Sequence, residues 1–273
     1  MHPRSRMPGR TALVTGASSG IGAEFARQLA ARGAELVLVA RSLDKLDALA
    51  TSLRARHHVD VVTEQLDLSA PDASEQLFHR VAERGLTVDF LVNNAGSGAI
   101  GPVAAMNPDE VTPAVNLHVK VVLENTVRFL PGMVERGGGV IVNVAGTGAF
   151  QPGPYMATRT ASAAFALSFT QAVSAETADT GVRVLALCPG LTDTPMTNGL
   201  STTFGRMRTT EQVVATAFKA LRTRKASVVD GRVNAIIARV GSRLPESLVL
   251  SAASRIMRKA STSQSGSHTA PPK

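Results

Sequence analysis

Short apolar runs alternate with segments of helical period along almost the whole chain. The runs Thr11–Val14, Glu35–Ala40, Val59–Gln65, Val88–Asn93, Gly139–Val144, Val182–Cys188 and Ala226–Val229 have strand length. Their near-continuous Val, Leu and Ile content is that of strands covered on both faces. Between them the spacing predicts helices over 20–32, 42–55, 71–84, 109–131, 155–178 and 209–223. Strands that alternate with helices in this way predict an α/β fold, a doubly wound parallel sheet with helices on both sides. No break in composition divides the chain before about residue 225, so residues 10–230 read as one domain behind a flexible stretch of residues 1–9.

Beyond that domain the pattern changes. Val233, Ile236, Ile237, Val240 and Leu244 fall at helical spacing, with Arg232, Arg239 and Arg243 between them. A second short helix is expected from Pro245 through Met257, which makes residues 231–260 a basic amphipathic helical extension. Residues 261–273 are polar and rich in Ser and Pro, a composition that predicts disorder. The formal net charge of +8 belongs to this end of the chain: residues 219–259 hold ten Lys and Arg against Asp230 and Glu246, and the remainder is balanced. Such a segment suits a cap on the sheet, or a peripheral contact with a membrane through residues 231–259. Nucleic acid is not an expected partner, because no basic groove with interleaved aromatics appears and the chain has no Trp and a single Tyr.

The one cysteine, Cys188, lies inside an apolar run and reads as a buried structural thiol. With neither a signal-peptide pattern nor an apolar run long enough to span a bilayer, a cytoplasmic protein is expected. The six histidines show no metal-ligand spacing, so no metal is expected. His118, two residues past Asn116, reads first as a packing histidine, with a place in the pocket as the alternative.

The candidate chemistry begins at the first strand. Thr15-Gly16-Ala17-Ser18-Ser19-Gly20-Ile21-Gly22 joins that strand to a helix. Gly16, Gly20 and Gly22 permit a tight turn, close approach of phosphates and close helix packing, and the unpaired amides of the helix start attract an anion. This is a Rossmann-type dinucleotide site. The second strand ends at Ala40, followed by Arg41, where an NAD-binding protein usually places a carboxylate for the ribose. A cation there supports a 2′-phosphate, so NADP(H) is the expected cofactor, with a solvated helix-start arginine as the plainer alternative.

Taken with this turn, four further motifs in register make the chain resemble the short-chain dehydrogenase/reductase family over roughly residues 10–230. They are Asp67 in Leu66-Asp67-Leu68, the run Asn93-Asn94-Ala95-Gly96, Asn116, and the turn Pro189-Gly190-Leu191-Thr192-Asp193-Thr194. Phe150-Gln151-Pro152-Gly153-Pro154-Tyr155 further resembles a bacterial subgroup with a basic C-terminal extension. The resemblance implies adenine contact by Asp67, ribose contact by Asn94, Ala95 and Gly96, and carboxamide contact by Thr194 at the end of the turn carrying Pro189, Gly190 and Thr192. It also implies a homodimer or homotetramer built on helices 109–131 and 155–178, with Ala161-Ser162-Ala163-Ala164 as a smooth face.

In that family a tyrosine protonates the carbonyl, a lysine four residues later tunes it, a serine orients the substrate and an asparagine positions a water. Counting from both flanks places Arg159 at the tyrosine position, Ala163 at the lysine position and Gly146 at the serine position; Asn116 alone is retained. Arginine keeps its proton in proteins, so Arg159 does not replace tyrosine as an acid, although it can stabilise negative charge. Tyr155, four residues before Arg159, is a candidate substitute donor, and Thr147 a candidate hydroxyl. The stretch Pro195–Thr210, with Met196, Leu200, Phe204, Arg206, Met207 and Arg208, is expected to cover the pocket and suggests a partly apolar, anionic small-molecule substrate.

Three readings follow. The first is an NADP(H)-dependent oxidoreductase acting on a carbonyl or alcohol with its proton relay absent or rerouted. The second is a non-redox enzyme (isomerase, dehydratase or cyclase) with Arg159 as electrophile. The third is an inactive NADP-binding pseudoenzyme.

Overall fold

Seven strands form one parallel sheet in the computed structural model, which describes residues 7–97, 100–197, 207–241, 244–245, 247–251 and 253–255. They are β1 (Thr11–Thr15), β2 (Glu35–Ala40), β3 (Val61–Gln65), β4 (Val88–Asn93), β5 (Gly139–Val144), β6 (Val182–Cys188) and β7 (Ser227–Val229), in the order β3-β2-β1-β4-β5-β6-β7. The helices are α1 (Gly20–Ala30), α2 (Leu43–His57), α3 (Ala73–Glu83), α4 (Pro108–Val115), α5 (Val121–Glu135), α6 (Ala157–Glu176), α7 (Thr210–Ala220) and α8 (Arg232–Gly241).

Strand side chains alternate between two apolar layers. Ala12, Val14, Leu36, Leu38, Phe90 and Val92 pack with Phe25, Leu29, Leu46, Leu53 and Val213 on the face carrying α1, α2 and α7. Leu13, Val37, Leu91 and Ile141 pack with Leu77, Val81, Phe129 and Met133 on the face of α3 and α5. The order reverses direction at β1 and β4, and the crevice beyond the carboxyl ends of these strands is where such sheets hold ligands.

Four expectations are corrected. Met7 is buried and its amide donates to the Arg32 carbonyl, so the folded body begins before Arg10 and part of the stretch 1–9 is fixed. The single helix expected over 109–131 is α4, a π-turn over Asn116–Lys120, and α5. Pro113 removes a donor inside α4, and the widened turn is closed by the Val121 amide donating to the Asn116 carbonyl. The helix expected from 155 starts at Ala157: Tyr155 has φ 64°, a left-handed conformation outside the helix. Finally, Ser162 and Ala163 face the interior, which leaves only Ala161 and Ala164 of the smooth face exposed.

After β7 the chain enters α8, and helical residues resume at 247–251 and 253–255. The disordered tail expected over 261–273 lies outside the described residues. Among the described residues no helix is long and apolar enough to cross a membrane, and no group of His, Cys, Asp or Glu has the placement of a metal site.

Candidate active site

The glycine turn follows β1 and is held from below by β4. The Thr15 hydroxyl donates to the Val92 carbonyl and accepts from the amides of Asn94 and Ala95 at 2.9 and 3.0 Å. The Asn94 side-chain amide donates to the carbonyls of Thr15 and Gly16 at 3.1 and 3.3 Å, so this residue braces the turn. Gly16 (φ 64°) and Gly20 (φ 56°) adopt conformations that other residues resist. A Cβ on Gly22 would collide with the Gly16 carbonyl, and one on Gly16 would stand 2.9 Å from Ala95 Cα. Ser19 occupies the N-cap of α1 without a side-chain capping bond, and the first turn carries no acidic residue. Ser18, Ser19, Gly20 and Ile21 therefore surround an uncapped, positive helix start that suits a phosphate.

The loops after β2, β3 and β6 complete one rim. Arg41 is exposed at the end of β2, makes no ion pair with any described residue, and its carbonyl accepts from Gln65. Asp67 accepts from the Ser69 hydroxyl and amide at 2.7 and 3.0 Å, which holds its carboxyl below the usual range, with a smaller contribution from Arg41. On the far side, Thr192 donates to the Gly190 carbonyl, and Thr194 approaches the glycine turn so closely that a Cβ on Gly20 would lie 3.1 Å from its methyl. The turn, Asn94, Ala95, Gly96 and the Pro189–Thr194 segment thus converge, and the donors present fit a dinucleotide phosphate.

The second half of the candidate site contains Gly146, Arg159 and Ala163, the positions expected for the serine, tyrosine and lysine. Gly146 follows β5 with φ 148° and ψ 161°, a glycine-only conformation, so its difference from a serine lies in the backbone as well as the side chain. A serine there would cost about 1–3 kcal/mol in strain. Arg159 stands in the first turn of α6, and a guanidinium nitrogen lies 3.9 Å from Met196 Sδ. Burial pushes its pKa down, and no carboxylate among the described residues pairs with it. Ala163, one turn on, is buried. Asn116 opens the π-turn, an irregularity often found where helices serve functional sites.

His118 comes from the same π-turn. Its ring packs on Gly96, and Nε2 lies 2.7 Å from the Ser97 carbonyl, which makes Nε2–H the donor. Burial lowers its pKa; the Ser97 bond opposes this, and the Arg159 charge lowers it further. The ring is therefore a neutral imidazole near Arg159, both packed and placed at the site. Its place two residues past Asn116 suggests packing first and the pocket second, and nothing in that spacing points to Arg159.

Tyr155 lines a cavity of about 170 Å³ with Ser251, Ser254 and Arg255 of the C-terminal extension. The Tyr155/Arg159 spacing does not place the two on one helix face, because Tyr155 precedes the helix. Thr147 donates its amide to the Pro189 carbonyl at 2.9 Å. Burial raises the Cys188 thiol to about 11, so it is an inert core group, as its apolar run predicts.

Of the expected lid, Leu200, Phe204 and Arg206 lie outside the described residues. Arg208 is paired with Asp230 through two bonds at 2.9 and 3.1 Å.

The sequence model for the short chain dehydrogenase family matches residues 10–204, a span that includes the glycine turn, Gly146, Arg159 and Ala163. This chain belongs to that family. Among curated family members, very-long-chain 3-oxoacyl-CoA reductase of Aspergillus clavatus is 36% identical over 178 residues, 64% of this chain and 52% of the fungal protein. The chain thus spans about half the length of that relative. The Rattus norvegicus protein of the same name is 31% identical over 243 residues, 87% of this chain and 76% of its own length. Among solved family structures, a short-chain dehydrogenase from Sphingobium yanoikuyae in complex with NADPH superposes with a TM-score of 0.75 at 28% identity, covering 97% of this chain and 98% of that one.

Proposed function

We propose that this short-chain dehydrogenase binds NADP(H) and acts on the carbonyl or alcohol of a partly apolar, anionic small molecule, with the family's usual proton relay replaced. The cofactor reading is supported by the uncapped start of α1, by Ala40 and Arg41 where a ribose-binding carboxylate would exclude a 2′-phosphate, and by the NADPH-bound relative. Arg41 would face the 2′-phosphate, the glycine turn the pyrophosphate, Asp67 the adenine and Thr194 the carboxamide. Bound NADPH supplies a hydride.

The observation that carries the substrate reading is Arg159, a half-buried guanidinium that no carboxylate neutralises among the described residues. Placed at the positive end of α6, it holds an oxyanion through fixed, charge-assisted hydrogen bonds without giving up a proton. Proton delivery then falls to water held by Asn116, because the single N–H of neutral His118 is already donated to the Ser97 carbonyl. Relatives named as 3-oxoacyl-CoA reductases point to an acyl thioester as the substrate class, anionic at one end and apolar at the other. The family's helices α5 and α6 are the surfaces on which we expect a homodimer or homotetramer.

A specific observation favours a second reading. The glycine-only backbone at Gly146 and the buried Ala163 support the reading of a centre remodelled beyond a missing side chain. A non-redox isomerase, dehydratase or cyclase with Arg159 as electrophile, or an inactive NADP-binding protein, would have the same features.

The test is turnover with NADPH on a panel of ketones and acyl thioesters, with product analysis. Oxidation of NADPH with reduction of anionic carbonyl substrates is expected, and Arg159→Ala lowers kcat/KM by about 10-fold or more for those substrates, the loss of one charge-assisted contact. A substrate altered at constant NADPH would replace this reading with the non-redox one, and no change in either would replace it with the inactive one.

A further inference from the structure

We propose that α8 is a docking helix for an anionic lipid bilayer. An amphipathic helix in a globular protein ordinarily turns its apolar stripe to the core. In α8 the arrangement is reversed. The inward face is Asn234, Ala238 and Gly241: the Asn234 amide donates to the Asp230 carbonyl at 2.8 Å and packs on Gly190, Ala238 is buried, and Gly241 meets Gln151. The apolar residues face solvent instead. Val233, Ile236, Ile237 and Val240 are 62%, 63%, 42% and 49% exposed, and their spacing places them in one stripe along the helix. Leu244 and Leu248, which follow the helix in the chain, are exposed as well, at 49% and 59%. A contiguous apolar surface of this kind marks an interaction site.

Charge complementarity identifies what covers it. Arg232 and Arg239 stand seven residues apart along one flank of the stripe, both exposed, and Arg255 is exposed on the segment that follows. Residues 219–259 carry the whole net charge of the chain. A second copy pairing through the same face would bring two such basic flanks together, since a two-fold interface apposes like patches. An anionic bilayer accepts both features at once: the Val and Ile side chains enter the acyl boundary, and the arginines remain among the headgroups.

The helix also rests on the turn at residues 147–150 and packs against Gly190, both beside the substituted reaction centre. Docking would therefore set that end of the sheet at the membrane surface. The inference stands apart from the reading of the pocket, because it needs neither cofactor nor turnover.

Flotation of the full chain with vesicles of phosphatidylcholine, alone or mixed with phosphatidylglycerol, tests it. The protein is expected to float with the phosphatidylglycerol vesicles, at least about 10-fold more weakly with phosphatidylcholine alone, and less as salt is raised. Ile236→Asp with Val240→Asp is expected to abolish flotation, and Arg232→Gln with Arg255→Gln to remove the preference for the anionic lipid. All these positions are exposed, so the thermal midpoint should be unchanged, which separates lost docking from lost folding. Absence of flotation with phosphatidylglycerol vesicles would overturn the proposal. So would an Ile236→Asp/Val240→Asp protein that floats as well as the original, or one that becomes a smaller oligomer in solution, since the stripe would then be a contact between copies.

Discussion

Arg159→Tyr combined with Ala163→Lys is expected to raise the rate of NADPH-dependent carbonyl reduction by about 10²–10⁴-fold, the contribution of a positioned general acid. The two positions lie one helical turn apart on α6, where a lysine can lower the pKa of a tyrosine and take over the positive charge that Arg159 now supplies. Gly146 is left unchanged on purpose, because its φ of 148° imposes strain on any serine placed there. Adding Gly146→Ser should lower the thermal midpoint and return little further rate, since members of such a relay do not contribute additively. The check is kcat on a small ketone, with melting temperature as the control for folding. A folded double variant with no gain would mean that the pocket has diverged beyond its missing donor.

Arg208→Ala is expected to cost about 3–5 kcal/mol of stability, the penalty for leaving a buried carboxylate without its cation. Asp230 is wholly buried, and its carboxylate accepts two bonds from Arg208 and one from the Thr216 hydroxyl at 2.6 Å. Arg208 belongs to the segment after β6, while Asp230 directly follows β7 and offers its carbonyl to Asn234 of α8. One ion pair therefore joins the covering segment, the last strand and the extension. Asp230→Asn should cost less, because the Arg208 side chain is 33% exposed and water can solvate the charge left behind. Denaturant midpoints of the two variants decide this, and equal costs, or a larger cost for Asp230→Asn, would contradict it.

Much of the frame was legible in the chain. Seven apolar runs gave seven strands within a residue or two at each end, because strands covered on both faces must be continuously apolar. The glycine turn was legible because its positions are dictated by backbone geometry. Other features left no periodic trace. A π-turn at Asn116–Lys120 adds one residue per turn without interrupting an apolar stripe, so the break between α4 and α5 passed as one long helix. The left-handed Tyr155 gave no signal, because nothing in a tyrosine foretells a positive φ.

A buried polar chain was hidden for another reason. Asn125 donates to Asn93, Asn93 to Asn143 and Asn143 to Thr170, all through side chains at 2.9–3.0 Å, tying β4 and β5 to α5 and α6. Single polar residues inside apolar runs do not reveal that they meet. The orientation of α8 belongs to the same class. Its spacing shows that an apolar face exists, but only packing shows that the face points outward.

The central claim is an NADP(H) site preserved around a changed reaction centre. Its most direct test is a fluorescence titration of the full chain with NADPH and, in parallel, NADH. One site per chain is expected, at least about 10-fold tighter for NADPH through the charge-assisted contact of Arg41 with the 2′-phosphate, and this preference should disappear in Arg41→Ala. Failure to bind NADPH, or equal affinity for the two cofactors, would contradict the account.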